Sequence, residues 1–115
     1  MDSRLFAQRV LPVDTFRHAE RVAQMLPPAF QDVAYLHDVI EDTEYDTLAL
    51  SGFATKNDLY VVDILTRKET QTYFEYIDFI AISKNRKAIM VKLADITDHL
   101  EQKATLKPSL EKRYL

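Results

Sequence analysis

Apolar residues recur at helical spacing along most of the chain, and this pattern predicts an all-α fold. The stretch 15–26 shows it well, with one apolar stripe made of Phe16, Ala19, Ala23 and Leu26. Residues three or four positions apart share one face of an α-helix, which can pack against a core. The same spacing turns Phe74, Ile77 and Ile80 inward in a later helix. We therefore expect a compact helical bundle that forms a single domain over residues 1–115.

Capping residues and helix breakers divide the chain into predicted helices. Proline is tolerated in the first turn of a helix but not in its interior, so Pro12 and the pair at 27–28 separate the first three helices. Asp14 or Thr15 can cap the second helix, and Gly52 can end a short helix or turn. The predicted elements are 3–10, 15–26, 27–40, 43–51, 55–65 (capped by Thr55 or Asn57), 72–82 and 85–102, with a short tail at 108–114.

The helix predicted for 85–102 carries a carboxylate within an apolar stretch. Seven of the nine residues from Ala88 to Ile96 are apolar, and on a helical wheel they cover nearly every direction. A helix that is apolar all round is a buried one. Asp95 is therefore expected inside or beside the core, where a carboxylate needs a partner.

The most polar stretch of an otherwise apolar run lies at the end of the helix predicted for 27–40. His37, Asp38, Glu41 and Asp42 fall within roughly 140° of one another on a helical wheel. Burial of so many polar groups is costly unless a metal ion or a substrate satisfies them. Taken alone, His37 could be a hydrogen-bonded core histidine. Its combination with three carboxylates indicates a functional site.

Residues from three predicted helices can complete one metal site. His18 lies at the margin of the apolar stripe of the second helix, and with His37, Asp38 and Asp95 it supplies two imidazoles and two carboxylates. These ligands suit a divalent cation, and the absence of cysteine excludes thiolate ligands. The sequence therefore indicates a site for Mn, Fe, Zn or Mg.

Glu41 and Asp42 are left beside this site, and their chemistry suits the activation of water. A metal lowers the pKa of a bound water, and a nearby carboxylate can accept its proton. The implied reaction is hydrolysis of a phosphate ester or anhydride. Lys92 and His99 flank Asp95 on the same side of the last helix and can meet the substrate. The alternatives are a solvated basic helix start around Lys92 and an exposed helix-end position for His99.

Together these motifs resemble the HD-domain superfamily of metal-dependent phosphohydrolases. More narrowly, the chain is similar to the hydrolase domain of the RelA/SpoT-like alarmone enzymes and their small stand-alone relatives. The matching segments are 18–26, 36–43 and 91–95, in the order found in that family. The resemblance implies an all-helical bundle, a manganese ion, and removal of the 3′-pyrophosphate from guanosine tetra- or pentaphosphate. It also implies that the metal ligands are His18, His37, Asp38 and Asp95, and that Glu41 and Asp42 position and activate water.

Positions that contact the nucleotide in that family differ in this chain. Arg9 matches the first residue of a basic Arg-Lys pair, but Val10 occupies the place of the lysine. His99 occupies the place of an asparagine that contacts the nucleotide. We therefore expect a nucleotide substrate held by Arg9, Lys92 and His99, with the alarmone as one possibility. Another HD-type nucleotide phosphatase and a noncatalytic nucleotide- or metal-binding module remain open.

Composition and charge narrow the range of partners. The net charge is −3, so bulk electrostatics do not favour nucleic-acid binding. The N-terminal segment lacks the apolar run of a signal peptide, and no stretch reaches the length of a membrane span. We expect a cytoplasmic protein without membrane or nucleic-acid partners, and the sequence leaves the oligomeric state open.

Overall fold

The computed structural model describes residues 2–105, which form α-helices joined by short loops. Within this range there is no β-strand, so the predicted all-α fold is confirmed. The predicted tail at 108–114 lies outside the described residues. The helices are α1 (Ser3–Val10), α2 (Val13–Gln24), α3 (Pro28–Asp42), α4 (Lys56–Leu65), α5 (Tyr73–Ser83) and α6 (Arg86–Thr105), with a 3₁₀ helix at Leu48–Leu50.

Helix α3 is the centre of the bundle. It packs against α1, α2, α4 and α6, and its residues from Val33 to Val39 are all buried. The segment surrounded in this way shows little surface to water, so its polar residues enter the interior with the apolar ones. His37 and Asp38 are therefore buried, at 3% and 5% exposure.

Local signals explain most helix starts. The Thr55 hydroxyl accepts a hydrogen bond from the backbone N–H of Asp58, which confirms Thr55 as the cap of α4. Thr72 and Glu75 form a capping box at the start of α5. The prediction that Asp14 or Thr15 caps α2 is wrong, because the helix already begins at Val13, directly after Pro12.

Two further predictions from the pattern are wrong. Gly52 does not end a helix in the left-handed conformation, since no described glycine has a positive φ. Phe74 is 82% exposed, and Tyr76 takes the buried position instead. Helix α5 is apolar on nearly every side, so residue spacing alone does not identify the face that packs against the core.

Helix α6 is less deeply buried than its composition predicts. Leu93 is 58% exposed, because one side of α6 faces away from the bundle. Asp95 lies on the inner side and is buried, as expected. Within residues 2–105, no helix is both long enough and apolar enough to cross a bilayer.

Candidate metal centre

Helices α2, α3 and α6 meet at an open cleft with a volume of about 720 Å³, here called the acidic cleft. Seven of the nine side chains predicted to form a site line it. Of the other two, His37 is buried beneath the cleft floor on α3, and Arg9 is exposed on α1 and is not part of the lining. The predicted residues in the lining are His18, Asp38, Glu41, Asp42, Lys92, Asp95 and His99.

His18 joins α2 to α6 through both of its ring nitrogens. Nε2 lies 2.7 Å from Oδ1 of Asp95, and Nδ1 lies 2.6 Å from Oδ2 of Asp98. Burial favours the neutral ring, but hydrogen bonds to the two carboxylates outweigh it and raise the pKa of His18 to about 9. Carboxylates only accept hydrogen bonds, so in this arrangement both ring nitrogens carry a proton.

Asp95 is surrounded by donors. Besides His18, the Nζ of Lys92 lies 2.9 Å from its Oδ2, and Nε2 of His99 lies 3.5 Å from its Oδ1. Burial acts to raise the pKa of Asp95, but hydrogen bonds from His18 and His99 and the charge of Lys92 hold it far below its usual range. Asp95 is therefore an ionised carboxylate at any physiological pH. His99 also stacks on the His18 ring, with centroids 4.5 Å apart.

Asp38 has a different environment. It is buried, and its carboxylate accepts no hydrogen bond from residues 2–105. Burial raises its pKa to about 6, although the nearby positive charges of His37 and His18 oppose this shift. No fully buried side-chain oxygen within residues 2–105 lacks a partner, so the Asp38 carboxylate is open to the cleft, where a cation could bind it.

His37 is held by α4 and by its own helix. Its Nε2 lies 3.0 Å from the Leu65 carbonyl oxygen and 3.0 Å from Oε1 of Glu41. The Tyr76 hydroxyl donates to the same Leu65 oxygen. Because a carbonyl only accepts, Nε2 carries a proton, and only Nδ1 could offer a lone pair in this ring orientation.

The four predicted ligands fall into two close sets of donor atoms. Among the described residues, one set is His18, Asp95 and His99, and the other is His37, Asp38 and Glu41. Within each set the donor atoms lie within 4.8 Å of one another. Both sets belong to the region around the acidic cleft, and the charges of Asp38 and His18 act on each other.

The charge and the donor types of the acidic cleft fit a divalent cation. Its lining contains six carboxylates against four lysine and arginine side chains. The doubly protonated His18 adds a fifth positive charge, which leaves one negative charge in excess, and a divalent ion would offset it. The available donors are imidazole nitrogens and carboxylate oxygens, which suit several divalent ions. They fall in the two sets described above, and the predicted ligands among them that line the cleft are His18, Asp38 and Asp95.

Glu41 and Asp42 differ in their protonation chemistry. Burial acts to raise the pKa of Glu41, but the hydrogen bond and charge of His37 lower it below the usual value. The pKa of Asp42 is raised, first by burial and then by the negative charge of Glu41. Glu41 is engaged in holding His37, whereas Asp42 lines the cleft and forms no hydrogen bond or ion pair within residues 2–105.

The residue that sequence reasoning missed is Asp98, which is fully buried. Its Oδ1 accepts from Nε of Arg21 at 2.7 Å and its Oδ2 from Nη2 at 3.1 Å, in addition to the contact with His18. Hydrogen bonds from Arg21 and His18 overcome burial and lower its pKa. The signal was a matched spacing: His18 and Arg21 on α2, and Asp95 and Asp98 on α6, are each three residues apart.

Two cationic side chains of the cleft were also not predicted from the sequence. Arg17 and Lys103 line it, and within residues 2–105 neither forms an ion pair or a hydrogen bond. Asp58 on α4 is buried and pairs with Nζ of Lys87 on α6 at 2.6 Å. Neither residue of that pair is part of the cleft lining.

No protein-family model matches this chain, and comparison with curated proteins gives no match either. The relation to HD-domain phosphohydrolases therefore remains a resemblance carried by the motif residues described above.

Proposed function

We propose that this protein is a metal-dependent phosphohydrolase that acts on a nucleotide. The observation that supports it best is the meeting of His18 from α2, Asp38 from α3 and Asp95 from α6 at one open cleft. His18 and Asp95 are 77 positions apart in the sequence, yet their side chains are in contact. Two further carboxylates, one turn along α3, lie in the same cleft.

A Mn-like ion bound there would supply Lewis acidity that stabilises phosphate oxygens and favours the deprotonation of water. Asp42 is assigned as the proton acceptor, because it lines the cleft without a hydrogen-bond partner within residues 2–105, whereas Glu41 is bonded to His37. The water oxygen attacks phosphorus, the bond from phosphorus to the ribose oxygen breaks, the water proton passes to the Asp42 carboxylate, and the leaving oxygen takes up a proton from solvent in the open cleft. Glu41 keeps His37 in place through the 3.0 Å contact.

The cations of the cleft are suited to the remaining phosphate oxygens. Lys92 is fixed by Asp95, whereas Arg17 and Lys103 have no ion-pair partner within residues 2–105 and are able to turn toward a phosphate. Arg9 has no place in this scheme, because α1 presents it outside the cleft. The basic groups offered to the substrate therefore come from α2 and α6.

Turnover of a nucleotide panel with manganese tests this proposal. Pyrophosphate released from guanosine tetraphosphate would identify the alarmone reaction, and phosphate released from deoxynucleoside monophosphates would identify a monophosphatase. Asp38→Ala and Asp95→Ala should each abolish turnover. Asp63→Ala is the matched control, because Asp63 is 64% exposed on α4 and lies outside the cleft. Absence of turnover on every nucleotide would reject the enzymatic proposal.

One observation favours a second candidate, a noncatalytic nucleotide- or metal-binding module. The donor atoms form two sets rather than one, and Nε2 of His37 faces the Leu65 carbonyl. A module of this kind would bind metal and nucleotide at full occupancy and release no phosphate. The same panel, combined with a binding measurement, separates the two candidates.

A further inference from the structure

A second groove adjoins the acidic cleft, on the other side of Lys92. It lies between the start of α5 and the outer side of α6 and has a volume of about 360 Å³. Its apolar lining consists of Tyr73, Ile96 and Leu100, and it shares four polar lining residues with the acidic cleft. We call it the Tyr73 groove. The size is within the range of about 300–1,000 Å³ found for small-molecule pockets.

The apolar side chains of this groove are unusually open to water. Tyr73 is 48% exposed and Leu100 is 60% exposed, although both lie next to a charged cleft. Single exposed apolar residues need no explanation, but here they form the wall of a concavity that continues into a proposed reaction site. An apolar wall with polar groups gathered at one end is typical of pockets for small ligands.

Lys92 links the two spaces. Its Nζ lies 2.9 Å from Oδ2 of Asp95 and 6.0 Å from the centre of the Tyr73 ring, and 5.1 Å from the buried Tyr76 ring. The same ammonium group therefore contacts a proposed metal ligand and borders the aromatic wall. Lys103, which has no ion-pair partner within residues 2–105, lines both spaces as well. A ligand with phosphate at one end and an aromatic ring at the other would satisfy both parts.

We propose that the Tyr73 groove binds the nucleobase of the substrate, with the base stacked on Tyr73 and its phosphates reaching past Lys92 into the acidic cleft. This inference rests on the proposed function and names the part of the substrate that the acidic cleft does not explain. The nucleobase is favoured over a second copy of the chain because the groove shares its cationic end with the cleft. A protein surface would cover the apolar wall but bring no phosphate to Lys103, which has no ion-pair partner within residues 2–105.

The composition of the groove also predicts its selectivity. Stacking is available to every base, because each has an aromatic face. The polar groups of the groove are Lys92, Asp95, His99 and Lys103, and the first two are already paired with each other. We therefore expect strong discrimination between nucleotides and phosphates without a ring, and weak discrimination among the four bases.

Calorimetry on the full chain with manganese tests the inference with two probes. One is a nonhydrolysable methylene analogue of a nucleoside diphosphate, and the other is methylenediphosphonate, which lacks the nucleoside. Tyr73→Ala should weaken binding of the first probe about 10-fold, as expected for the loss of one stacked base, and leave the second unchanged. Tyr73→Phe should bind like the wild type. Phe74→Ala is the matched control, because Phe74 is the next residue, is 82% exposed and does not line the groove.

The outcomes separate this inference from the proposed function. Equal affinity of Tyr73→Ala and wild type for the nucleotide analogue would overturn the groove assignment, even in a protein that hydrolyses nucleotides. A loss confined to the nucleotide analogue would support it, even in a protein without turnover. If Tyr73→Ala and Leu100→Ser instead lower the mass in sedimentation without changing nucleotide affinity, the groove is an interface between copies and the inference fails.

Discussion

Nδ1 of His18 lies 2.6 Å from Oδ2 of Asp98, and this contact fixes the orientation of the imidazole that faces Asp95. A histidine that binds a metal through one nitrogen commonly donates from the other to a carboxylate, which sets the tautomer and increases the basicity of the ligating atom. Arg21 holds the far side of Asp98 with two hydrogen bonds. Arg21, Asp98 and His18 therefore form a chain that ends at the proposed metal ligand.

Asp98→Asn should lower manganese affinity about 10–100-fold, the usual cost of removing a partner of a ligating histidine. The amide keeps the size of the side chain but loses the charge that His18 and Arg21 share. Competition with a fluorescent chelator measures the affinity. Asp78→Asn, on the exposed side of α5, is the control and should bind metal like the wild type. Wild-type affinity in Asp98→Asn would show that the contact does not support a ligand.

Metal binding should release a proton in the range between neutrality and pH 9. His18 has a pKa of about 9 and carries protons on both nitrogens, so an ion that takes Nε2 as a ligand must displace one of them. Affinity should rise by up to about tenfold per pH unit below this value. Calorimetry in two buffers with different ionisation enthalpies counts the protons released. A count of zero at pH 7.5 would exclude His18 from the ligand set.

The stability of chelator-treated protein should fall as the pH rises from about 6.5 to 9. The pKa of His18 in the fold is about 9 and exceeds its ordinary value of 6.5. The extra stability is therefore complete below pH 6.5 and is lost as the pH passes through the folded value. Thermal unfolding at a series of pH values measures this. His18→Gln should reduce the slope within this window and leave the part due to His37, whose pKa is also raised. An unchanged slope would contradict the hydrogen-bond pattern of His18.

Asp42→Asn should lower kcat about 10²–10⁴-fold on the preferred nucleotide and leave manganese stoichiometry unchanged, as expected for the loss of a general base. Glu41→Gln should have a smaller effect on kcat, because Glu41 acts through His37 and its pKa is lowered. The ratio of the two kcat values is the decisive quantity. A greater loss in Glu41→Gln than in Asp42→Asn would reverse the assignment.

Much of the fold could be predicted because the signals are local. The limits of α1 agree with the sequence pattern, and Thr55 and Thr72 cap helices through contacts with residues three positions away. Predictions of buried faces failed where a helix has no clear difference between an apolar and a polar side. Helix α5 is apolar on most sides, so Phe74 and Tyr76 could not be distinguished without knowing where α6 and α4 lie.

The sequence predicted the main residues of the candidate site but not Asp98, which holds His18 in place. Asp38 and Asp95 could be recognised because each is polar within an apolar stretch of its helix, and His18 because it lies at the margin of an apolar stripe. Asp98 could not be predicted, because its contacts form only when α2 and α6 pack in one register. In that register the pair His18 and Arg21 lies opposite the pair Asp95 and Asp98. Arg9 was assigned by resemblance, and the packing of α1 against α2 and α3 leaves it outside the acidic cleft.

A manganese titration of four purified proteins, read by the electron paramagnetic resonance of the free ion, tests the proposed metal centre. We expect one tightly bound ion per chain in the wild type and in Asp63→Ala, and no tight binding in Asp38→Ala or Asp95→Ala. Circular dichroism on the same samples establishes that all four proteins are folded. Wild-type stoichiometry and affinity in a folded Asp95→Ala protein would contradict the metal centre and, with it, the proposed hydrolysis.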